Sequence, residues 1–393
     1  SDVCSSDLLV NDGCLYTLPG SPEKVEAILP TDRRSNHASS LIELENGDLL
    51  CAWFAGLAEG SSDISIVAAR LRAGADRWEY EGVLSEDAQC SEQNPCFFQE
   101  KGGTLWLLHT AQKSRGTMTE AEWLALKSQG KVTGNFSMQE TAQIRRRLSQ
   151  DQGRTWQPTT VFSQKPGSFC RHPILELSNG DWLFPMWYSV EDPHSDKQYG
   201  KDYSVVRLSH DRGKTWEEVP VPDSVGRVHM TAVETRPGHL VAFFRSRWAD
   251  CVYKSLSEDY GRTWSAPTPT LLPNNNASIQ AAKLPSGAIA LVFNPYGLPP
   301  REKKEVEWPG LRWSVSVAIT EDEGETFPLQ RVIEPGSGFT GAENRLENAA
   351  FEYPCLLVGR DGAIHIAYSA WNRRHIHYVR VTEGWLRSSP KNQ

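Results

Sequence analysis

Six polar positions recur along the chain at the starts of apolar, strand-like segments, and their side chains are of the kinds that bind and transform polar ligands. They are Asn36-His37, Gln93-Asn94, Arg171-His172, His229, Asn275-Asn276 and Glu352-Tyr353. A second set closes segments of the same kind: Trp53, Glu59, Asp63, His109, Trp187, Tyr188, Arg245, Arg247, Asn294 and Trp371. A sugar site wants this mixture. Aromatic faces pack on C–H surfaces, amides and imidazoles read hydroxyls, and an arginine fork clamps a carboxylate through two parallel hydrogen bonds. Taken singly, each residue is explained as well by a hydrogen bond to a neighbouring loop. Six in register point to one polar pocket, provided the fold brings residues 36 to 353 around a common centre.

Two series of internal repeats supply that fold. The first is Ser-x-Asp-x-Gly-x-Thr-Trp, at Ser149/Asp151/Gly153/Thr155/Trp156, Ser209/Asp211/Gly213/Thr215/Trp216 and Ser257/Asp259/Gly261/Thr263/Trp264. Thr320/Asp322/Gly324/Thr326/Phe327 is a looser fourth copy. The Asp accepts from nearby backbone N–H groups, the Gly permits positive φ and the aromatic plugs the turn. The second series is strand, Gly turn, strand, with turn glycines at 47, 103, 180, 238, 287 and 362. Strand, Gly turn, strand, loop, strand, Asp box, strand is one four-stranded propeller blade. The expected fold is therefore all-β: a six-bladed β-propeller with four antiparallel strands per blade.

Blade boundaries fall at about 37–84, 92–163, 170–221, 227–268, 276–334 and from 351 onward. The last blade runs out of chain after three strands, and Lys24-Val-Glu-Ala-Ile-Leu-Pro30 is the segment that can complete it and remove a free edge. Residues 1–20 are expected to form a poorly ordered N-terminal segment and residues 21–393 a single propeller domain. If the Gly turns lie at the bottom, parity puts the Asp boxes there too. Blade-to-blade connections and second-to-third-strand loops then lie at the top. All three long inserts, at about 111–139, 189–201 and 295–310, are of that loop type, so the top is the elaborated face. The first insert contains a helix signal opened near Thr119.

Composition removes other classes. The net charge of −8, with no basic block, argues against a nucleic-acid partner. No apolar run approaches the roughly 18 residues of a membrane span. The eight cysteines show neither a CxxC pair nor zinc-finger spacing, so no metal or cofactor is expected. Cys51, Cys96 and Cys355 sit in apolar strands as small buried hydrophobes. The first residues lack a basic start and an apolar core, so no signal peptide is visible; the expectation is a soluble protein, cytoplasmic or secreted with its leader trimmed.

With three full Asp boxes, the chain resembles the sialidase superfamily, specifically its Asp-box (BNR-repeat) proteins, from about residue 30 to 385. The segments NHASSLIELENGDLLCAWFAG, QNPCFF, FRSR, NNNASIQA and FEYPCLL are similar to that group's blade motifs. The resemblance implies a glycosidase with three arginines on the substrate carboxylate, a Tyr nucleophile paired with a Glu, and an Asp acid/base. Carried onto this chain it makes Tyr353 the nucleophile, Asp63 the acid/base, Arg245 and Arg247 carboxylate ligands, and Glu234 or Glu352 the partner of the tyrosine. Where the family opens blade 1 with Arg-Ile-Pro, this chain reads Ser35-Asn36-His37-Ala38-Ser39, with Arg33 and Arg34 out of register. That departure opens alternatives. One is an exo-glycosidase removing a terminal acidic sugar, sialic acid or similar. Another is a uronate-directed polysaccharide lyase, with His172 and Tyr188, or His37 and His229, as base and acid, and Arg171 or Arg245 on the carboxylate. The third is a non-catalytic glycan-binding propeller. In each, Asn94, Asn276, Trp187, Tyr188 and His229 are candidate glycan contacts.

Overall fold

The computed structural model describes residues 10–191, 199–299, 301–302, 304–310, 312–336 and 349–388. Six antiparallel sheets follow one another around an axis. Blade 1 uses Ser35–Glu43, Leu49–Gly56, Ser65–Leu71 and Trp78–Ser85 from the axis outward. Blades 2, 4 and 5 repeat this order over 90–163, 227–273 and 280–334. Second strands are covered on both faces by neighbouring blades, so they read as continuous apolar runs; Leu49–Gly56 is buried at every position. The core therefore lies between blades. Trp182 of blade 3, for example, meets Trp106 of blade 2 edge-on at 5.6 Å.

Blade 6 contains Glu352–Val358, Ile364–Ala370 and His375–Val381, and Ser21–Ile28 completes it by pairing antiparallel with the last of these, Val25 opposite Arg380 and Ile28 opposite His377. The ring is thus closed by the two ends of the chain. Tyr16–Leu18 pairs in turn with Ser21–Ile28, and Gly13 bonds both Ile28 O at 3.0 Å and Trp78 N at 2.8 Å. The chain accordingly joins the fold earlier than residue 21. A bare outer strand would expose its N–H and C=O groups, and the preceding residues cover it. Residues 1–9 lie outside those described.

Antiparallel pairing puts the Gly turns and Asp boxes at one end of the blades. Each box satisfies itself: Asp151 accepts from Thr155 N at 2.8 Å and Thr155 Oγ1 at 2.6 Å, while Ser149 Oγ accepts from Gly153 N at 2.9 Å. The threonine hydrogen bonds draw the carboxyls of Asp151, Asp211 and Asp322 down to about 2. At Gly213 a Cβ would stand 2.7 Å from the Trp182 ring, so only glycine fits that turn. At the other end, the first insert carries a helix over Glu120–Ser128, closed by a capping box between Thr119 and Glu122. Among the described residues no helix is long and apolar enough to cross a membrane.

Candidate active site

The site is built by one irregularity repeated in four innermost strands. In blade 1, His37 faces Phe54 and Ser40 faces Ala52, so one residue is extra. The same bulge recurs between Gln93 and Cys96, between Val228 and Thr231, and between Glu352 and Cys355. The extra residue adopts a left-handed conformation each time: Ala38 at φ 59, Asn94 at 50, His229 at 52 and Tyr353 at 54. A bulge turns its side chain out of the two-residue alternation. Here that aims Asn94, His229 and Tyr353 into a cavity of about 740 Å³ at the end opposite the Asp boxes. A tyrosine at positive φ is a strained choice, held by surrounding structure and typical of functional positions.

The cavity wall is rich in guanidinium. Arg245 and Arg247 come from the end of the second strand of blade 4, Arg312 from beyond the third insert, and Arg373 from the turn after the second strand of blade 6. Residues Trp371, Asn372 and Arg373 are all left-handed, at φ 52, 55 and 65, and this strained turn delivers Arg373 to the cavity. Phe169, Trp187, Tyr199 and Trp308 supply the apolar wall, and Gln93, Asn94, Glu59 and Glu307 the polar one. Trp308, 47% exposed, lies over the guanidiniums of Arg245 and Arg247 at 5.3 and 5.6 Å.

Tyr353 Oη accepts a 2.6 Å hydrogen bond from Arg245 Nη1. Arg245 Nε donates to Asn276 Oδ1 at 2.8 Å, and its Nη1 lies 3.3 Å from His229 Nε2. Burial pushes the Tyr353 phenol up, but Arg245 and Arg312 beside it more than offset this and hold it below its ordinary value. Burial pushes Arg245 down to about 9, which leaves it cationic at neutral pH. Glu352 is buried behind the tyrosine, where Arg373 Nε bonds it at 2.7 Å and Arg312 Nη1 bonds its other oxygen. Burial opposes ionisation of Glu352, yet Arg373 and Arg312 hold its carboxyl well below the usual range. Arg373 also bonds Glu59 at 2.7 Å. Arg247 is tied to buried Asp202 at 2.7 Å.

Several expected residues lie elsewhere, for identifiable reasons. In blade 1 the bulge residue is Ala38, so His37 turns between blades 1 and 6, its Nδ1 2.8 Å from Ser369 Oγ and its ring 4.1 Å from that of Tyr353. In blade 3, Phe169 faces Trp187 and Leu175 faces Leu183, so the inner strand carries two extra residues around Pro173. Arg171 is thereby sent across the axis beneath Tyr353 instead of into the cavity. His172 lines a separate cavity of about 450 Å³ with Leu175, Thr231 and Gln280, nearer the ends of the inner strands. Tyr188 alternates with Trp187 and faces the other way, bonding Glu218 at 2.5 Å under Lys165. Asp63 does not line the cavity; its Oδ2 accepts from Leu57 N at 2.8 Å and ties its own loop, leaving Glu59 as that loop's carboxylate on the wall. Glu234 accepts from Ser178 and Gly238 at a Gly turn. Neither lyase pair lines the cavity together, since His37, His172 and Tyr188 are not among its lining residues. Trp53, His109 and Asn294 are buried supports.

Of the expected site residues, Asn94, Trp187, His229, Arg245, Arg247 and Tyr353 line the cavity; Asn276 stands directly behind Arg245. Arg312, Arg373, Tyr199 and Trp308 were missed. Arg373 follows the same strand end that marked Arg245 and Arg247, so parity carried one step past Trp371 reaches it. The others sit in irregular inserts or just past one, where no periodicity locates a side chain.

The family described as a BNR repeat-like domain matches residues 47–366. No curated protein matches the chain. Among solved structures, a protein of unknown function from Dyadobacter fermentans aligns with TM-score 0.66 and 18% identity over 90% of this chain and 97% of its own. A Hadza microbial sialidase aligns with TM-score 0.66 and 18% identity over 89% of this chain and 66% of its own. The intramolecular trans-sialidase from Ruminococcus gnavus aligns with TM-score 0.63 and 15% identity over 91% of this chain and 97% of its own. At these identities the likeness is one of fold, a sialidase-like propeller.

Proposed function

Because the chain belongs to the BNR repeat-like family, we propose that it is a glycosidase that removes a terminal acidic sugar, sialic acid or a similar one, from a glycan. The observation that carries this reading is Tyr353, whose Oη stands in a guanidinium-lined cavity 2.6 Å from Arg245 Nη1. Arg245 Nη2 is enclosed and has no hydrogen-bond partner among the described residues, which suits it to receive a carboxylate in its plane, with Arg312 beside it. Tyr353 Oη then bonds to the anomeric carbon as the glycosidic C–O bond breaks. We assign proton transfer at the leaving oxygen to Glu59: a carboxylate paired with Arg373 at rest, it takes up a proton as substrate binds, gives that proton to the leaving oxygen, and in the second step takes the proton of the water that displaces Tyr353.

The test is turnover over a panel of glycans ending in acidic sugars, read as released monosaccharide. Tyr353→Phe, which deletes only the hydroxyl, should abolish release by the folded variant, and Glu59→Gln should lower kcat. Release undiminished in Tyr353→Phe would overturn the assignment. Appearance of an unsaturated, ultraviolet-absorbing product would mark a lyase, and binding without release a glycan-binding propeller.

A further inference from the structure

Two buried guanidiniums, Arg171 and Arg245, have no carboxylate partner among the described residues, and both flank one side chain. Arg171 is 2% exposed and spends its donors on Ser278 Oγ and the carbonyls of Ala38, Ser39 and Tyr353. Arg245 is 1% exposed and bonds Asn276, His229 and Tyr353. The other arginines of the wall are neutralised: Arg247 by Asp202, Arg312 by Glu352, and Arg373 by Glu352 and Glu59. An unpaired buried cation costs several kcal/mol, and a guanidinium does not relieve that cost by losing its proton at neutral pH. An anion between Arg171 and Arg245 would relieve that cost.

We propose that Tyr353 rests as a phenolate and is the counterion of Arg245 and Arg171, activated by cations without a carboxylate base. Its ring centroid lies 5.4 Å from the guanidinium carbons of Arg245 and Arg312 and 5.6 Å from that of Arg171, and Arg245 is the hydrogen-bond partner of its oxygen among the described residues. The other groups facing it do not compete for this role. His37, against the ring, is kept neutral by burial and by Arg373. His229 is kept neutral by burial and by Arg245, and its Nε2 accepts from Arg245, so it has no site for the phenol's proton. Its Nδ1–H is then directed at Ser278 Oγ, 3.0 Å away, which fixes His229 as a positioning residue for Arg245. Glu352 is engaged by two arginines, and Glu59 opposes ionisation of the tyrosine more weakly than the guanidiniums favour it. When the O–H bond breaks, the proton leaves to solvent.

That Tyr353 serves as a nucleophile rests on the glycosidase reading; that it is ionised does not. The near-ultraviolet phenolate absorbance of the whole chain is followed as pH rises from about 6 to about 11, beside Tyr353→Phe, across the range of ordinary tyrosine ionisation near 10. Of the eleven tyrosines, one should ionise ahead of the rest, and the variant should lack that early signal. Arg245→Gln should move this ionisation up by about one pH unit or more, as loss of an adjacent opposite charge requires. His229→Leu should move it upward less, and His229→Gln, which keeps an acceptor for Arg245, should largely restore it. If Tyr353→Phe does not fold, Arg245→Gln gives the same information from the other partner. A Tyr353 signal that appears only near the ordinary value, or is indifferent to Arg245→Gln, overturns the proposal. Because this readout needs no substrate, a phenolate without turnover would reject the glycosidase alone, and turnover without a phenolate would reject this proposal alone.

Discussion

Replacing Arg171 by methionine keeps the aliphatic stem but deletes the fork that spans the propeller axis. From blade 3 the fork reaches Ser278 Oγ of the fifth blade's approach at 3.0 Å, Ala38 O and Ser39 O of blade 1 at 3.3 and 2.9 Å, and Tyr353 O of blade 6 at 3.2 Å. Three of the four acceptors are backbone carbonyls, and a buried group left unpaired costs about 1–3 kcal/mol. Two effects reduce the sum: the variant no longer holds a guanidinium out of water, and water entering the channel can pair with some of the carbonyls. The balance is a loss of about 3 kcal/mol, a large part of the roughly 5–15 kcal/mol that holds a typical domain. Urea unfolding followed by tryptophan fluorescence should show a lower midpoint at unchanged slope. Arg171→Lys should recover only part of it, because one ammonium cannot serve acceptors on three blades. An unchanged midpoint together with a raised KM would refute this reasoning and return Arg171 to the role of a substrate ligand.

Two further outcomes follow from the same geometry. Removing the Asp-box carboxylates by Asp151→Ala, Asp211→Ala or Asp259→Ala should lower the melting temperature while leaving activity per folded molecule unchanged, because the boxes stand at the end away from the cavity. At Asp259 the loss is about 1 kcal/mol once solvent screening is allowed for. Turnover lost at an unchanged melting temperature would contradict it. The second outcome concerns acid. His37, His172 and His229 are held well below 6.5, by burial first and by nearby arginines second. In the unfolded chain these imidazoles take up protons as pH falls through about 6.5, whereas folded they stay neutral, so their contribution is complete above that pH and declines below it. Each gives a slope of about 1.4 kcal/mol per pH unit, about 4 kcal/mol for the three. Urea midpoints at about pH 7 and about pH 5 should differ accordingly, and equal midpoints would mean that the histidines are protonated in the fold.

The architecture was legible because its signals are local and repeat. Each turn glycine of the second series, at 47, 103, 180, 238, 287 and 362, adopts positive φ, from 79° at Gly238 to 97° at Gly103, and each Asp box closes on itself within a few residues. Six such units leave little freedom in topology. Even the closing strand was visible, since a three-stranded last blade and a spare apolar segment near the N-terminus imply one another. Cavity residues on inserts had no such support. Arg312 and Trp308 are placed by contacts such as Asn276 Nδ2 to Glu307 O at 2.8 Å, which join distant parts of the chain and leave no trace in local spacing.

Register decided the rest. An alternation argument assigns each residue of an inner strand to one face, and a single inserted residue reverses every assignment beyond it. Asn94, His229 and Tyr353 were identified because they are themselves the bulged residues. His37 was misassigned because the bulge falls one position later, on Ala38, and Arg171 and His172 because blade 3 inserts two residues around Pro173. Those displacements are not incidental to the site. The extra length in blade 3 lets Arg171 cross the axis to the carbonyl of Tyr353, and the alanine in blade 1 leaves His37 free to pack against the tyrosine ring. Arg373, from the strained turn of blade 6, meets Glu59 from the blade 1 loop. The same departures from regular pleating that defeat a pattern reading are therefore what assemble a cation cage around one strained tyrosine.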